Sequence, residues 1–202
     1  MKNIAVLCSG NGTNLQAIIN AVQKKKLKVH IALVLSDNDA AFALKRAARA
    51  GIKHVVVKRS CFASRSDFEK QIIYHLAKEK VELIVLAGFM RLLGPGLLSA
   101  YKNKIINIHP ALLPSFKGSH GIQDAFDYGA KVTGITIHFV DDEMDHGPII
   151  MQEAVPIRAG DTLKTTERRI HKVEHALYYK AIGLFAAGRL KIKGRKVVIS
   201  GN

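Results

Sequence analysis

Two residues with hydrogen-bonding side chains, Asn107 and His109, stand two positions apart at the end of the apolar run KIINIH (104–109), and Pro110 follows at once. In an extended strand, residues two apart project from the same face, so the carboxamide and the imidazole point together while Ile106 and Ile108 face the other way. Proline has no N–H to give a sheet, so the strand stops there and the pair is fixed at its carboxyl end. In open α/β sheets that edge is where ligands bind. A carboxamide supplies a neutral N–H donor, and an imidazole can donate, accept and change charge near neutral pH. Together they put two groups with donor capacity at one ligand-binding edge. A lone histidine in such a run is more often a satisfied core residue; the Asn-x-His-Pro order at a strand end is what argues for a site.

A second source of chemistry is HFVDDEMDHGP (138–148), which carries Asp141, Asp142, Glu143 and Asp145 between two segments that alternate apolar and polar residues. A solvated acidic turn is the plain reading, and a calcium or magnesium site is disfavoured because the glycine and terminal glutamate of an EF-hand loop are missing. Cys8 and Cys61 show neither C-x-x-C nor Cys/His spacing for zinc. No metal is therefore expected. Asp145, the acid nearest the following strand, is the one best placed to partner His109.

The third candidate is CSGNGTNLQAII (8–19), where a strand ends, Gly10 and Gly12 permit a tight turn, and an amphipathic helix begins. Thr13 and Gln16 fit a capping box. A helix opening from a glycine-bearing loop offers free N–H groups and positive dipole charge to a phosphate. Leu15 stands where G-x-G-x-x-G needs its third glycine, and the P-loop lysine is missing, so a plain βα turn stays open beside phosphate binding.

The elements that must position these residues are visible as periodicity. Runs 3–9, 30–36, 53–58, 81–88 and 104–109 are short, continuous and rich in Val, Ile and Leu, as strands buried on both faces are. Amphipathic stretches separate them, the third, SRSDFEKQIIYHLAKEK, with Ser66 placed to cap a first turn carrying Asp67 and Glu69. Strand alternating with helix predicts an α/β fold with a doubly wound, mostly parallel sheet. After residue 130, KVTGITIHFVDD and GPIIMQEAVPI alternate by twos and predict an antiparallel pair, followed by a long helix from about Thr162 to Ala187 and a basic tail able to hold a short hairpin. One domain over 1–202 is expected, with a nucleotide-binding half (1–105), a catalytic half (106–190) and the tail (191–202).

Composition narrows the partners. Lys and Arg number 31 against 16 Asp and Glu, a formal charge of +15 that points to anionic ligands. The densest runs, KKK (24–26) and KIKGRK (191–196), have no interleaved aromatics, and no zinc-finger or helix-turn-helix pattern accompanies them, so a solvated basic surface is favoured over a nucleic-acid partner. No apolar run reaches the roughly 18 residues of a membrane span, and the amino terminus turns to glycine too soon for a signal peptide. No membrane partner and a cytoplasmic location are expected, with both cysteines reduced.

Taken together, SGNGTN, AGFMRLL, INIHPALLPSFKG and GITIHFVDDEMDHGPII occur in the order and at the separations of the glycinamide ribonucleotide formyltransferase family, folate-dependent enzymes of purine synthesis, which the chain resembles from Met1 to about Leu190. The resemblance implies a Rossmann-like formyltransferase fold. It implies that the phosphate of 5-phosphoribosylglycinamide sits on Gly12, Thr13, Asn14 and Leu15, with Glu174 near the ribose. It implies that 10-formyltetrahydrofolate, as co-substrate, is bound along Met90, Arg91, Leu92 and Leu93, with Arg65, Asn107 and Asp142 contributing. Asn107, His109 and Asp145 match the catalytic trio, and His120, Thr136 and His138 match supporting positions. The sequence departs from the family in three places: His171 replaces an expected glutamine, His146 follows Asp145 where glycine is common, and no proline precedes Gly118.

The implied reaction moves a formyl group from N10 of the folate to a primary amine through a tetrahedral carbon. Asn107 and a protonated His109 would donate to its oxygen, His109 would pass a proton to the leaving nitrogen, and Asp145 would favour the imidazolium and relay the amine's proton through water. Pro110 and Pro114 would keep the exit loop irregular, leaving the histidine exposed in a cleft. A monomer or weak homodimer is expected. The alternatives are a methionyl-tRNA formyltransferase-like or formyltetrahydrofolate hydrolase-like enzyme, whose extra domains this length does not accommodate, and a nucleotide-binding oxidoreductase using Asp37 or Asp39, which the missing third glycine disfavours.

Overall fold

The structure is a computed structural model, and it describes residues 1–201; Asn202, the end of the predicted tail, lies outside the described residues. The chain divides into two compact units, Met1–Ile106 and Asn107–Asn202.

In the first unit β1 (Lys2–Leu7), β2 (Val29–Ser36), β3 (His54–Val56) and β4 (Leu83–Leu86) lie in the order β3-β2-β1-β4, with every pair parallel. Ile4, Val6, Leu7, Leu33, Leu35, Leu83 and Ile84 are buried and form the core against α1 (Thr13–Gln23), α2 (Phe42–Arg49), α3 (Arg65–Lys78) and α4 (Pro95–Ala100). Continuous apolar runs are what such strands require, because helices cover both sheet faces. The short β3 departs from that expectation: its His54 and Val56 are exposed, as an edge strand's residues are.

Helix starts correct two readings of the sequence. The first turn of α1 has no side-chain cap; Gly12, in the left-handed region at φ 72°, occupies the N-cap, and Gln16 turns outward to Asn20 instead. A Cβ on Gly12 would also fall 2.7 Å from Cβ of Ala43, so backbone conformation and close approach both demand glycine. The cap of α3 is Ser64, whose hydroxyl accepts from the Asp67 N–H, and Ser66 lies inside the helix. The capping hydroxyl bonds to the N–H three residues on, and only Ser64 has an extended backbone that allows it.

The division between units falls within β5 (Ile105–His109). In the second unit β6 (Val132–Phe139) and β7 (Ile149–Pro156) form the expected antiparallel pair, with β9 (Lys196–Ile199) on β7 and β8 (Leu190–Lys193) outermost. The alternation read in β6 overstated its exposure, since all but Val132 are buried. Thr133, Thr136 and His138 are thus polar residues inside the protein. The helix α5 (Gly121–Asp127) precedes β6, and the long helix is α6 (Leu163–Ala186), opened by a capping box between Thr162 and Thr165. Ile170, Tyr178, Ala181 and Ile182 give α6 its buried stripe at helical spacing. Both basic runs are exposed. Among the described residues no helix is long and apolar enough to cross a membrane.

Candidate active site

The three residues singled out at 107, 109 and 145 meet in the second unit. Asp145 Oδ2 lies 3.4 Å from Nδ1 of His109, and its Oδ1 lies 3.7 Å from Nε2 of His138. The Asn107 amide nitrogen is 3.2 Å from His138 Nε2, and His138 Nδ1 is 2.8 Å from the Phe139 carbonyl oxygen. A carbonyl only accepts, so His138 carries its proton on Nδ1 and receives the Asn107 N–H at Nε2. One N–H of Asn107 is spent on fixing the carboxamide.

Asp145 sits in the left-handed region at φ 48°, a conformation Asp tolerates better than most residues, which turns its carboxylate toward the histidines. The Gly118 N–H donates to Oδ2 at 2.8 Å. Burial pushes its carboxyl up, but the contact with His138, the Gly118 N–H and the positive charge that His109 and His138 carry when protonated hold it below the usual carboxylate range. Asp145 is anionic at neutral pH.

His109 differs from its expected state. It is buried, and its Nε2–H donates to the Phe116 carbonyl at 2.8 Å while Nδ1 faces Asp145. Burial dominates and lowers its pKa, against the Asp145 charge and the Phe116 carbonyl, which favour the cation. At neutral pH the resting imidazole is therefore neutral and engaged, rather than cationic and open in a cleft.

Thr136 supports the exit loop: its hydroxyl donates to Ala111 O at 2.7 Å and accepts from the Leu113 N–H at 3.0 Å, with the Gln152 amide donating to it at 2.9 Å. His120 is exposed at the N-cap of α5 and contacts Ser119 Oγ at 3.0 Å. Asp142 is exposed on the loop after β6. Glu174 is buried on α6, and His171 Nδ1 lies 2.7 Å from its Oε2, which raises the His171 pKa. The histidine in place of the expected glutamine is thus bound to Glu174.

The remaining candidates belong to the first unit. Gly12 to Leu15 open α1 with no side-chain hydrogen bond at the N-cap, and Arg46 grips the loop, donating to Asn11 O at 2.8 Å, to Asn11 Oδ1 at 2.9 Å and to Gln16 Oε1 at 3.2 Å. On segment 90–94, Met90 and Leu92 are 66% and 63% exposed, far more than apolar side chains need be. Arg91 turns to Asp37 at 2.6 Å, and Arg65 donates to Leu92 O at 2.6 Å and to Glu69 Oε1 at 3.3 Å. Buried Glu69 accepts from the Gly94 N–H and from the Leu97 N–H, and Ser9 Oγ accepts from the Met90 N–H at 2.9 Å. Arg46, Glu69 and Ser9 were not singled out from the sequence. Only Glu69 was named there, as an acid in the first turn of the third helix, with nothing to mark it as buried.

Residues 2–182 match the family model described as "Formyl transferase". The chain belongs to the formyl transferase family. It is 43% identical to the phosphoribosylglycinamide formyltransferase of Escherichia coli (strain K12), over 94% of this chain and 90% of that one. It is 46% identical to the enzyme of that name from Bacillus subtilis (strain 168), over 90% and 93%. The crystal structure of glycinamide ribonucleotide transformylase 1 from Symbiobacterium toebii superposes with a TM-score of 0.97 at 44% identity, covering 100% of this chain and 95% of that one. The mostly parallel α/β formyltransferase fold expected from the sequence is the fold of this chain.

Proposed function

We propose that this formyl transferase moves the formyl group of 10-formyltetrahydrofolate to the primary amine of 5-phosphoribosylglycinamide, in the cytoplasm and in de novo purine synthesis, as a monomer or weak homodimer. The observation that carries the reading is the approach of His109 to Asp145 within 3.4 Å, beside a carboxamide with an N–H to spare. Near full-length identity to enzymes bearing that name supports it.

In this reading Gly12, Thr13, Asn14 and Leu15 take the substrate phosphate on their N–H groups, which Arg46 pre-orients, and Glu174 accepts from a ribose hydroxyl. Arg65 and buried Glu69 hold the backbone of Met90, Arg91, Leu92 and Leu93 flat for a planar heterocycle, whose polar edge pairs with main-chain groups; Asp142 adds an acceptor. Bound formyl-folate supplies an activated formyl carbon. Asn107 donates its second N–H to the formyl oxygen as charge builds there, a kind of contact worth about 10² to 10³ in rate. Asp145, already anionic, takes the proton of the attacking amine through water and passes it to Nδ1 of His109. His109 then gives up its Nε2 proton to the leaving nitrogen and is left neutral as the Nδ1–H tautomer. It regains the Nε2–H form by returning the Nδ1 proton to solvent through Asp145 and taking one from water at Nε2 before the next turnover. The proton lost by the amine is the proton gained by the folate, so the histidine can start without charge. For that delivery the Phe116 carbonyl must release Nε2, and His120, Thr136 and His138 keep the surrounding loop and ring in place.

The test is to incubate the pure protein with 10-formyltetrahydrofolate, with and without 5-phosphoribosylglycinamide, and follow deformylation by absorbance. Loss of formyl-folate that depends on the amine supports the assignment. Deformylation at the same rate without any amine overturns it in favour of a hydrolase.

A further inference from the structure

The loop that carries Asp145 is closed at its root, where the Phe139 N–H donates to Pro148 O at 2.9 Å, and its two flanks are tied together by side chains. Nδ1 of His146 lies 2.9 Å from Asp141 Oδ2, and the Glu143 N–H donates to Asp141 Oδ1 at 3.3 Å. A guanidinium completes the group. Nη1 of Arg195 is 3.2 Å from both ring nitrogens of His146 and 3.9 Å from Asp141 Oδ2. An in-plane atom equidistant from the two nitrogens at that range would overlap Cε1, so Nη1 lies over the imidazole face, a surface on which guanidinium groups stack well. Glu143 Oε1, 3.8 Å from His146 Nδ1, adds a second carboxylate facing the ring.

Arg195 comes from the turn between β8 and β9, far along the chain from this loop. The register Ile149↔Lys196 sets β9 beside β7 just after the loop, which delivers residue 195 to residues 141 and 146. His146 follows Asp145 directly, so fixing the His146 ring fixes the peptide on which Asp145 adopts its left-handed turn. The basic tail, which nothing in the chemistry of transfer uses, is thereby joined to the acid that the chemistry does use.

We infer that Arg195 is a positioning residue for the formyl-transfer site: by stacking on His146 and neutralising Asp141 it holds the 140–147 loop in the conformation that presents Asp145 to His109. The inference rests on the function proposed above. Because Arg195 is more than half exposed, its contribution is modest, on the scale of an exposed ion pair, about fivefold in rate.

The experiment compares the full chain with Arg195→Ala and Arg195→Lys, measuring kcat, KM for each substrate, melting temperature and amide hydrogen exchange across 140–147. The expected result for Arg195→Ala is a kcat lowered roughly fivefold, an unchanged KM for the amine, faster exchange confined to the loop, and an unchanged melting temperature. Arg195→Lys should recover part of kcat, because it keeps the charge but loses the planar stacking. Full kcat and unchanged exchange in Arg195→Ala overturn the inference, as does a loss of kcat that only follows a global fall in melting temperature. If Arg195→Ala does not fold, Asp141→Asn should give the same local signature. A wild-type chain without transfer activity sinks the proposed function alone, since the exchange comparison still reads the latch.

Discussion

The loops of the first unit and the trio of the second, as proposed to bind and to react, solve opposite problems. In the first, charged side chains are consumed internally: Arg46, Arg65, Arg91, Asp37 and Glu69 pair with one another or with the main chain. What that region offers a ligand is backbone held by those pairs. In the second, the backbone is held by Thr136 and Gln152, and what is offered is side chains, Asn107, His109 and Asp145. Backbone sites recognise shape and charge and tolerate changes of rate poorly explained by any one residue; side-chain sites concentrate rate in a few atoms. The two units should therefore respond differently to substitution, one in KM and the other in kcat.

The largest effect is expected in the second unit. His109→Ala should lower kcat by roughly 10² to 10⁴, and Asn107→Ala by about 10² to 10³, with KM for either substrate little changed and each variant folded by circular dichroism. A loss in KM alone would merge the two regions into one kind of site. Next comes Glu69→Ala, which leaves the Gly94 and Leu97 N–H groups without their acceptor and removes one of the two partners of Arg65. An unsatisfied buried donor costs about 1 to 3 kcal/mol, so formyl-folate KM should rise roughly tenfold or more with kcat nearly kept. Steady-state kinetics on the purified variant decides between that and a catalytic loss.

A smaller effect concerns pH. Burial lowers the His109 pKa, so below the unfolded value of about 6.5 the unfolded chain binds a proton that the native chain refuses. Its contribution to stability is full above that value and is lost as pH falls toward the folded pKa. Asp145, whose pKa is also lowered, adds stability above about 3.9 that is lost at still lower pH. Urea midpoints should decline first through the histidine window where His109, helped by His75 and opposed by His171, loses stability, and His109→Gln should make that first step shallower. The smallest expected effect is on thiols: burial and the nearby Asp37 push Cys8 up to about 12, so a maleimide at neutral pH should label exposed Cys61 and leave Cys8 untouched in the native protein.

The same contrast explains what the sequence made legible. The shared direction of Asn107 and His109 could be read because a period of two fixes which way a strand residue points, whereas Asp145 stood out only as the acid nearest the following strand. The parallel strands could be read from continuous apolar runs, and α6 from its helical stripe. The clamps of the first unit could not, because Arg46 and Glu69 look like ordinary helix-surface charges until long-range pairing puts Asn11 and Gly94 against them. Caps were misread for a local reason: Thr13 and Ser66 have the right chemistry, but Gly12 and Ser64 hold the N-cap positions. The charge of His109 was misread because burial, which the short run around it does not reveal, outweighs a neighbouring carboxylate.

The central claim is that Asp145 and His109 act as one proton-handling unit. A double-mutant cycle on single-turnover formyl transfer tests it, using His109→Ala, Asp145→Asn and the pair combined. The account predicts that Asp145→Asn costs little once His109 is gone, so the double variant is about as slow as the slower single one. Losses that multiply across the pair would contradict it.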